Sequence, residues 1–228
     1  MKRGTALAVL LAALSAAAAA GAAALIAFYP PPSTFASLLP PDNPHVRDGQ
    51  FASRMCNGVQ CRLCPFECFL PEGARGRCKV RVNCGGKIRT LVYGQPAAVH
   101  LDPIEKKPVY HMLPGSLVYS LAAPGCSLAC KACQNWEISQ IYPEQAAPET
   151  SVPVGLRLAS APDGRVYGEL SSKDMGYLAP ADVVKYALAT RSRAVAYTYS
   201  EPVVFYEYMA DTARLARAAG LRNVMVSS

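Results

Sequence analysis

Residues 125–136 read Gly-Cys-Ser-Leu-Ala-Cys-Lys-Ala-Cys-Gln-Asn-Trp and place Cys126, Cys130 and Cys133 in a Cys-x3-Cys-x2-Cys spacing. Thiolates ligate iron–sulfur clusters, and a cubane cluster normally takes four of them. Three closely spaced thiolates would leave one iron without a protein ligand, and an open coordination position is typical of a reactive metal site. The alternatives are a zinc site and chance clustering in a chain with nine cysteines.

The sequence around these cysteines alternates between apolar runs and helical patterns. It predicts strands at residues 117–121, 194–199 and 223–226, and helices at 180–189 and 203–219. Such alternation indicates parallel βαβ units, in which chemistry takes place at the carboxyl ends of the strands. The three cysteines follow the first strand and Glu201 follows the second, so we expect both groups to face one pocket.

A second group of cysteines precedes this region. Cys61, Cys64, Cys68 and Cys78 have a Cys-x2-Cys-x3-Cys-x9-Cys spacing, which suits a structural zinc ion or a second iron–sulfur cluster. A small cysteine-rich lobe without metal is the alternative. The odd number of cysteines fits a disulfide-paired secreted domain poorly, and their bunched spacing favours metal binding in a reducing compartment.

Charge and hydropathy limit the partners. The formal net charge is +7, but there is no long run of Lys and Arg, so nucleic acid is not indicated. Lys2 and Arg3 precede an apolar stretch at residues 6–28, which we interpret as a membrane anchor, with a cleaved secretory signal as the alternative. The positive-inside rule would put the bulk of the protein outside the cytoplasm, whereas reduction of a cluster is easier inside.

Four motifs, taken in order, resemble one protein family. They are Cys-Arg-Leu-Cys-Pro at residues 61–65, Gly-x-x-Gly-x-Cys at 73–78, Pro-Ile-Glu-Lys-Lys-Pro at 103–108, and Cys-Gln-Asn-Trp-Glu-Ile-Ser-Gln at 133–140. Together they resemble the radical S-adenosylmethionine (SAM) enzymes of the AmmeMemoRadiSam system, which are relatives of the pyruvate formate-lyase activating enzymes. The resemblance covers roughly residues 55–228.

The resemblance implies an α/β fold with a partial TIM-like radical SAM barrel. We expect an N-terminal hydrophobic helix (1–28), a Pro-rich linker (29–54), a cysteine-rich N-terminal lobe (55–115) and the first part of the barrel (116–228). Such barrels contain about six βα units, and only about three strands are recognised here. The sequence is therefore expected to be a C-terminally truncated form.

The resemblance also implies a function. Cys126, Cys130 and Cys133 would hold a [4Fe-4S] cluster that cleaves SAM for hydrogen abstraction, and Ser200, Glu201 and Pro202 would contact the SAM amino group. Helix capping by Ser200 and Glu201 is the alternative role. An electron donor similar to flavodoxin or ferredoxin is expected, and a protein substrate is a further expectation. No catalytic side chain is assigned.

Two other function classes remain open from the sequence. One is a membrane-tethered iron–sulfur protein that transfers electrons without SAM, and the other is a zinc-binding interaction module. Several residues near the motifs are assigned no chemistry. Lys106 and Lys107 are interpreted as solvated loop charges. The resemblance implies an aromatic residue near the adenine of SAM where Ala132 stands here. Trp136 and Tyr199 are candidate substitutes for it, but both are interpreted first as core-packing residues.

Overall fold

The structure is a computed structural model that describes residues 43–145, 158–160, 166–170 and 176–228. The chain divides into two compact units, and all described residues belong to the second, Asp42–Ser228. The predicted anchor, residues 6–28, and the first part of the predicted linker lie outside the described residues. Within the described ranges, no helix is both long enough and apolar enough to span a bilayer.

A six-stranded mixed sheet forms the centre of this unit. Its strands, given in chain order, are β7 (Ala98–Pro103), β8 (Leu117–Ala122), β9 (Leu158–Ser160), β10 (Val166–Leu170), β11 (Ala194–Tyr197) and β12 (Arg222–Met225). Their order in the sheet is β12-β11-β8-β7-β10-β9. The β8, β11 and β12 strands are parallel, with Ala194 paired to both Val118 and Arg222. The β7, β9 and β10 strands join the sheet through antiparallel pairs.

The predicted partial TIM-like barrel is wrong. The three strands expected to be parallel do form and do pair in parallel, but β7 pairs with the other edge of β8 in the antiparallel direction. The β10 strand continues the antiparallel arrangement beyond β7, so the sheet is mixed. Parallel strands need a crossover connection, which β7 and β8 lack, because a short irregular segment joins them.

Two small antiparallel sheets lie N-terminal to the central sheet in the sequence. Their strands are β1 (Arg47–Asp48), β2 (Ala52–Met55), β3 (Gly58–Cys61), β4 (Phe69–Leu70), β5 (Arg81–Cys84) and β6 (Lys87–Thr90). One sheet has the order β1-β6-β5 and the other β2-β3-β4. The β5 and β6 strands form a hairpin whose turn, Gly85-Gly86, has φ values of 63° and 72°. Glycine adopts this conformation without steric cost.

The described helices are at most 13 residues long. They are α1 (Trp136–Ser139), α2 (Pro180–Ala189) and α3 (Tyr206–Ala218), with 3₁₀ turns at Ile104–Lys106, Pro143–Gln145 and Pro202–Phe205. Proline suits the first position of α2 because the N–H that it lacks would have no helical partner there. The helix predicted at residues 203–219 is divided into the 3₁₀ turn Pro202–Phe205 and α3.

Alternating strand residues bury both faces of the central sheet. Tyr119, Leu121, Val195 and Tyr197 belong to the larger core, which also includes residues of α2 and α3. Their strand neighbours Val118, Ala194, Ala196 and Val224 pack in a smaller cluster with Ile104. Both faces of the sheet are therefore covered by apolar side chains. The polar residues described below lie at the carboxyl ends of the parallel strands.

A buried ion pair connects the β5–β6 hairpin to α3. Arg81 Nη1 donates to Glu207 Oε1 at 3.0 Å, and both side chains are buried. The same carboxylate accepts a hydrogen bond from the backbone N–H of Gln50 at 2.7 Å. The small sheets are thus fixed to the helical layer by charge-assisted hydrogen bonds, which are stronger than neutral ones.

Candidate functional site

A cavity of about 550 Å³ lies at the carboxyl ends of β8, β11 and β12. Ligands of open α/β sheets bind in this position, and the volume is typical of a small-molecule site. Its lining combines thiols, hydroxyls, a carboxylate and two ammonium groups. The polar residues that matter below are Lys106, Lys107, Cys126, Cys130, Cys133, Tyr199, Ser200 and Glu201.

The three cysteines lie on a segment that we call the cysteine loop, residues 125–135. Backbone and side-chain hydrogen bonds fix its course. The N–H of Gly125 donates to Ile138 O at 2.9 Å, and Arg77 Nε donates to Ser127 O at 2.9 Å. Gln140 Nε2 donates to Leu128 O at 3.2 Å. The loop is therefore held by its own following helix and by the cysteine-rich lobe.

Gly125 is required at the start of the cysteine loop for two reasons. Its φ is 86°, which is a left-handed conformation that L residues adopt only at a cost. A Cβ at this position would also lie 2.4 Å from Val80 Cγ1 and 2.6 Å from Cys78 O. The cysteine loop and the backbone around Cys78 can approach this closely only because residue 125 lacks a side chain.

The three thiols of the loop differ in exposure. Cys130 is exposed, whereas Cys126 and Cys133 are half-buried. The backbone N–H of Leu128 donates to Cys126 Sγ at 3.3 Å, and Cys133 Sγ lies 3.2 Å from Ser139 Oγ. Hydrogen bonds to sulfur stabilise thiolate charge and adjust the potential of a cluster.

Burial raises the pKa of the Cys126 thiol, and the nearby negative charge of Glu201 adds to the rise. A metal must therefore displace the Cys126 proton on binding, as in thiolate sites generally.

The loop residues fit a cluster in that all three cysteines line one cavity with room for a small ligand. Their side chains do not converge on a single point: in the described ranges, no three Cys, His, Asp or Glu side chains are grouped to hold one metal ion. The two observations do not conflict, because a single metal ion and a cubane cluster place their thiolate ligands differently. One zinc ion, with Zn–S bonds of about 2.3 Å, needs its sulfurs within about 4.6 Å of one another, whereas a cubane binds each thiolate on a different iron.

Ser200 and Glu201 line the cavity but already have partners. Ser200 Oγ donates to Ala123 O at 2.7 Å. Glu201 Oε1 accepts from the N–H of Val203 at 3.2 Å and from Ser227 Oγ at 2.8 Å. The Val203 bond caps the 3₁₀ turn that Pro202 begins, so the capping role foreseen for Glu201 is present. Glu201 Oε2 accepts from the N–H of Ser228 at 3.2 Å. A carboxylate has about four lone-pair positions, which leaves one for a ligand ammonium.

The other predicted metal site involves Cys61, Cys64, Cys68 and Cys78, which we call the lobe thiols. Cys61 and Cys78 are buried, and Cys64 and Cys68 are half-buried. The sulfurs of Cys68 and Cys78 flank Gly76, where a Cβ would lie 3.9 Å and 3.6 Å from them. Burial raises the pKa of the Cys78 thiol to about 11 and also raises that of Cys64. The structure thus places these thiols in one small lobe, but as arranged there no three of them are grouped to hold one metal ion within the described residues.

Sequence reasoning missed a buried polar network on the cavity wall. The interpretation of Lys107 as a solvated charge is wrong, because its side chain is 2% exposed and its Nζ lies 2.6 Å from Asp102 Oδ2. Burial opposes ionisation of Asp102, but hydrogen bonds from Lys107, Tyr199 and Lys106 outweigh it and hold the pKa of its carboxyl well below the usual value. The sequence signal that could have revealed this network is that Lys106 and Lys107 follow Asp102 by four and five positions.

The two aromatic residues assigned to core packing also behave differently. Trp136 is 59% exposed and does not belong to the core. The Tyr199 side chain belongs to the polar network, since its hydroxyl contacts both Asp102 and Lys107. Whether an aromatic side chain is buried depends on contacts with residues that are distant in sequence, which the local pattern does not reveal.

Comparison with known proteins gives one informative relative. The chain is 35% identical over 184 residues to an uncharacterized protein of Methanocaldococcus jannaschii, MJ0808. The match covers 80% of this chain and 47% of MJ0808, so the chain spans about half the length of the curated relative that it matches. No family model and no solved structure matches the chain.

Proposed function

We propose that the chain is a radical SAM enzyme, similar to the activating enzymes, whose Cys126, Cys130 and Cys133 hold a [4Fe-4S] cluster. The observation that carries the proposal is that these three cysteines and the Ser200-Glu201 pair line one cavity. When bound and reduced, such a cluster supplies the electron that cleaves SAM to methionine and a 5′-deoxyadenosyl radical, which abstracts hydrogen. The substrate of that abstraction is proposed to be a small molecule or a protein.

The chain's own residues would hold and electrostatically adjust the cofactor. The Leu128 N–H and the Ser139 hydroxyl would place hydrogen bonds on the sulfurs of Cys126 and Cys133. These bonds would stabilise the negative charge of the thiolates and change the potential of the site. Cys130 is exposed, which would leave the third ligand near solvent and accessible to an electron donor similar to flavodoxin or ferredoxin.

Ser200 and Glu201 would orient the methionyl end of SAM. Glu201 would accept a hydrogen bond from the SAM ammonium while it continues to cap the 3₁₀ turn that starts at Pro202. The Ser200 hydroxyl uses its hydrogen on Ala123 O, so it would act toward SAM as an acceptor. Both contacts favour a cationic ammonium group, since a carboxylate and a hydroxyl lone pair face the same cavity.

The lobe thiols are proposed as a second metal site, for zinc or a second cluster. Their support is the spacing of Cys61, Cys64, Cys68 and Cys78, and their placement in one lobe next to the cysteine loop. A membrane association through residues 6–28 remains part of the proposal on sequence grounds alone.

Metal analysis of anaerobically reconstituted protein tests the proposal. We expect about four more irons and sulfides per chain in the unmodified protein than in Cys130→Ser, because loss of one ligand of three destabilises the cluster. Cys56→Ser is the matched control: Cys56 is also exposed, lies in neither cysteine group, and should leave the iron content unchanged.

A SAM titration separates the remaining function classes. In the proposed enzyme, SAM changes the electron paramagnetic resonance spectrum of the reduced cluster, and methionine forms. A cluster whose spectrum is insensitive to SAM would indicate an electron-transfer protein instead. Zinc without sulfide in anaerobic preparations would indicate a zinc-binding module and contradict the proposal.

A further inference from the structure

The cavity wall carries a polar network that the proposed cysteine chemistry does not use. Lys107 Nζ donates to Asp102 Oδ2 at 2.6 Å and to Tyr199 Oη at 3.1 Å. Lys106 Nζ donates to the other carboxylate oxygen, Asp102 Oδ1, at 2.9 Å. Lys106, Lys107 and Tyr199 all line the cavity. The network is therefore part of the cavity surface.

The charges of this network do not cancel. Two ammonium groups share a single carboxylate, which leaves a net charge of +1 at the wall. Lys107 and Asp102 are both buried and neutralise each other as an ion pair. The second ammonium group, that of Lys106, is 60% exposed and keeps this wall of the cavity cationic toward a ligand.

The Lys107 ammonium also has a donor to spare. It carries three N–H groups, and its hydrogen bonds in the described part of the chain engage two of them. The Nζ atom lies 4.2 Å from the centre of the Tyr199 ring, which fixes it from a second side. The unused donor belongs to a residue that lines the cavity, so a ligand there is the available partner.

Tyr199 is held in a strained backbone conformation at this point. Its φ is 67°, which is unusual for a bulky residue, and Asn135 Nδ2 holds its carbonyl oxygen at 2.9 Å. Strained residues of this kind occur mainly at ligand-binding and active sites, because the surrounding structure must stabilise them at a cost of about 1–3 kcal/mol. Because Asn135 belongs to the cysteine loop, this hydrogen bond links the polar network to that loop.

The geometry points to an anion subsite in which Lys107 binds the carboxylate or phosphate group of a small-molecule ligand. Asp102 is a positioning residue: it holds the ammonium at the wall and does not touch the ligand. The subsite depends on the cavity itself and goes beyond the proposed function, since it would bind an anion whichever metal the cysteines hold.

Thermal unfolding of the full metal-free chain with inorganic phosphate or acetate tests this inference. Sodium chloride at equal ionic strength is the reference, because general screening must be excluded. At ten times its Kd, the bound anion should raise Tm by about 3–6 °C. The anion that gives the larger shift identifies the ligand class as phosphate or carboxylate.

Two lysine variants form a matched pair. Lys107→Met should weaken anion binding about ten- to hundredfold, which is the effect of losing one charged hydrogen bond. Lys106→Met removes the same charge from the same carboxylate, but its side chain is 60% exposed, and it should retain most of the Tm shift. Equal losses in both variants would overturn the inference, as would an undiminished shift in Lys107→Met.

Asp102→Asn serves if Lys107→Met does not fold. The amide removes the charged partner that holds the Lys107 ammonium, so anion binding should weaken about tenfold. Unchanged or tighter binding in Asp102→Asn would contradict the inference. The experiment uses neither iron nor SAM, so its failure would leave the proposed function intact, and the reverse also holds.

Discussion

The lobe thiols and the loop thiols are the same chemical group in two different environments. Cys61 and Cys78 are each 7% exposed and are packed among apolar side chains. Cys126, Cys130 and Cys133 line an open cavity, and Cys130 is exposed. Buried thiols are usually inert, whereas partly exposed thiols react and bind exchangeable ligands. The reactivity of a cysteine therefore depends more on its environment than on its spacing.

The two groups are nevertheless in contact. Cys78 O approaches the cysteine loop at Gly125, and Arg77 Nε, one residue before Cys78, donates to Ser127 O. We call this contact between residues 77–78 and the cysteine loop the junction. A substitution at the junction should therefore change the stability or reactivity of both groups of thiols, whereas a substitution elsewhere should change only one group. The following predictions, made for reduced and metal-free protein, use that distinction.

Gly125→Ala should have the largest effect. A left-handed alanine costs about 1–2 kcal/mol, and the overlap with Val80 and Cys78 adds about 1–3 kcal/mol. Urea unfolding should therefore show a loss of about 2–5 kcal/mol. Gly115→Ala is the control, since Gly115 has a φ of 72° and no atom within 4 Å of an added Cβ. Similar losses in both variants would show that the junction is not tightly packed.

Alkylation should separate the two groups of thiols by rate. Burial raises the pKa of Cys78 to about 11, two units above an ordinary thiol at 9.0. Its thiolate fraction at neutral pH is therefore about a hundredfold lower, and burial slows access further. Iodoacetamide should label Cys130 at least about a hundredfold faster than Cys78, as measured by peptide mass spectrometry. Comparable rates would remove the distinction between lobe and loop.

The Cys78 thiol should also make stability depend on alkaline pH. Its folded pKa lies above its unfolded value, so its contribution is complete below pH 9 and is lost as the pH rises from 9 to about 11. The loss should be roughly 2 kcal/mol for a shift of this size. Urea unfolding at pH 8 and pH 10.5 measures it, and Cys78→Ala should lose less over the same interval. An identical pH response in the variant would assign the effect to other groups.

Arg77→Ala should have the smallest effect. It removes the hydrogen bond to Ser127 O and the stacking of the guanidinium 4.2 Å from the Phe66 ring centre. The expected loss is about 1 kcal/mol, together with faster alkylation of Cys126. Arg214→Ala, at a side chain that is 70% exposed, should leave both measurements unchanged. Faster labelling in Arg214→Ala would indicate a general charge effect rather than a local contact.

Local patterns predicted many of the elements that surround the site. Helix α2 begins at Pro180 and ends at Ala189 as expected, because proline position and apolar spacing are local signals. The three parallel strands were also predicted. The pairing of β7 with β8 was not, because residues 98–103 carry no turn or crossover signal that identifies their partner. That single pairing changed the expected barrel into a mixed sheet.

Local patterns were enough to establish the spacing of the cysteines, the glycine that precedes them and the strand–helix alternation, since each depends on neighbours within a few residues. The folded structure was needed to show which thiols are buried, that Lys107 lies at a cavity wall beside Asp102 and Tyr199, and that the sheet is mixed. Burial and strand pairing depend on contacts between residues far apart in the chain. No local pattern encodes the identity of those partners.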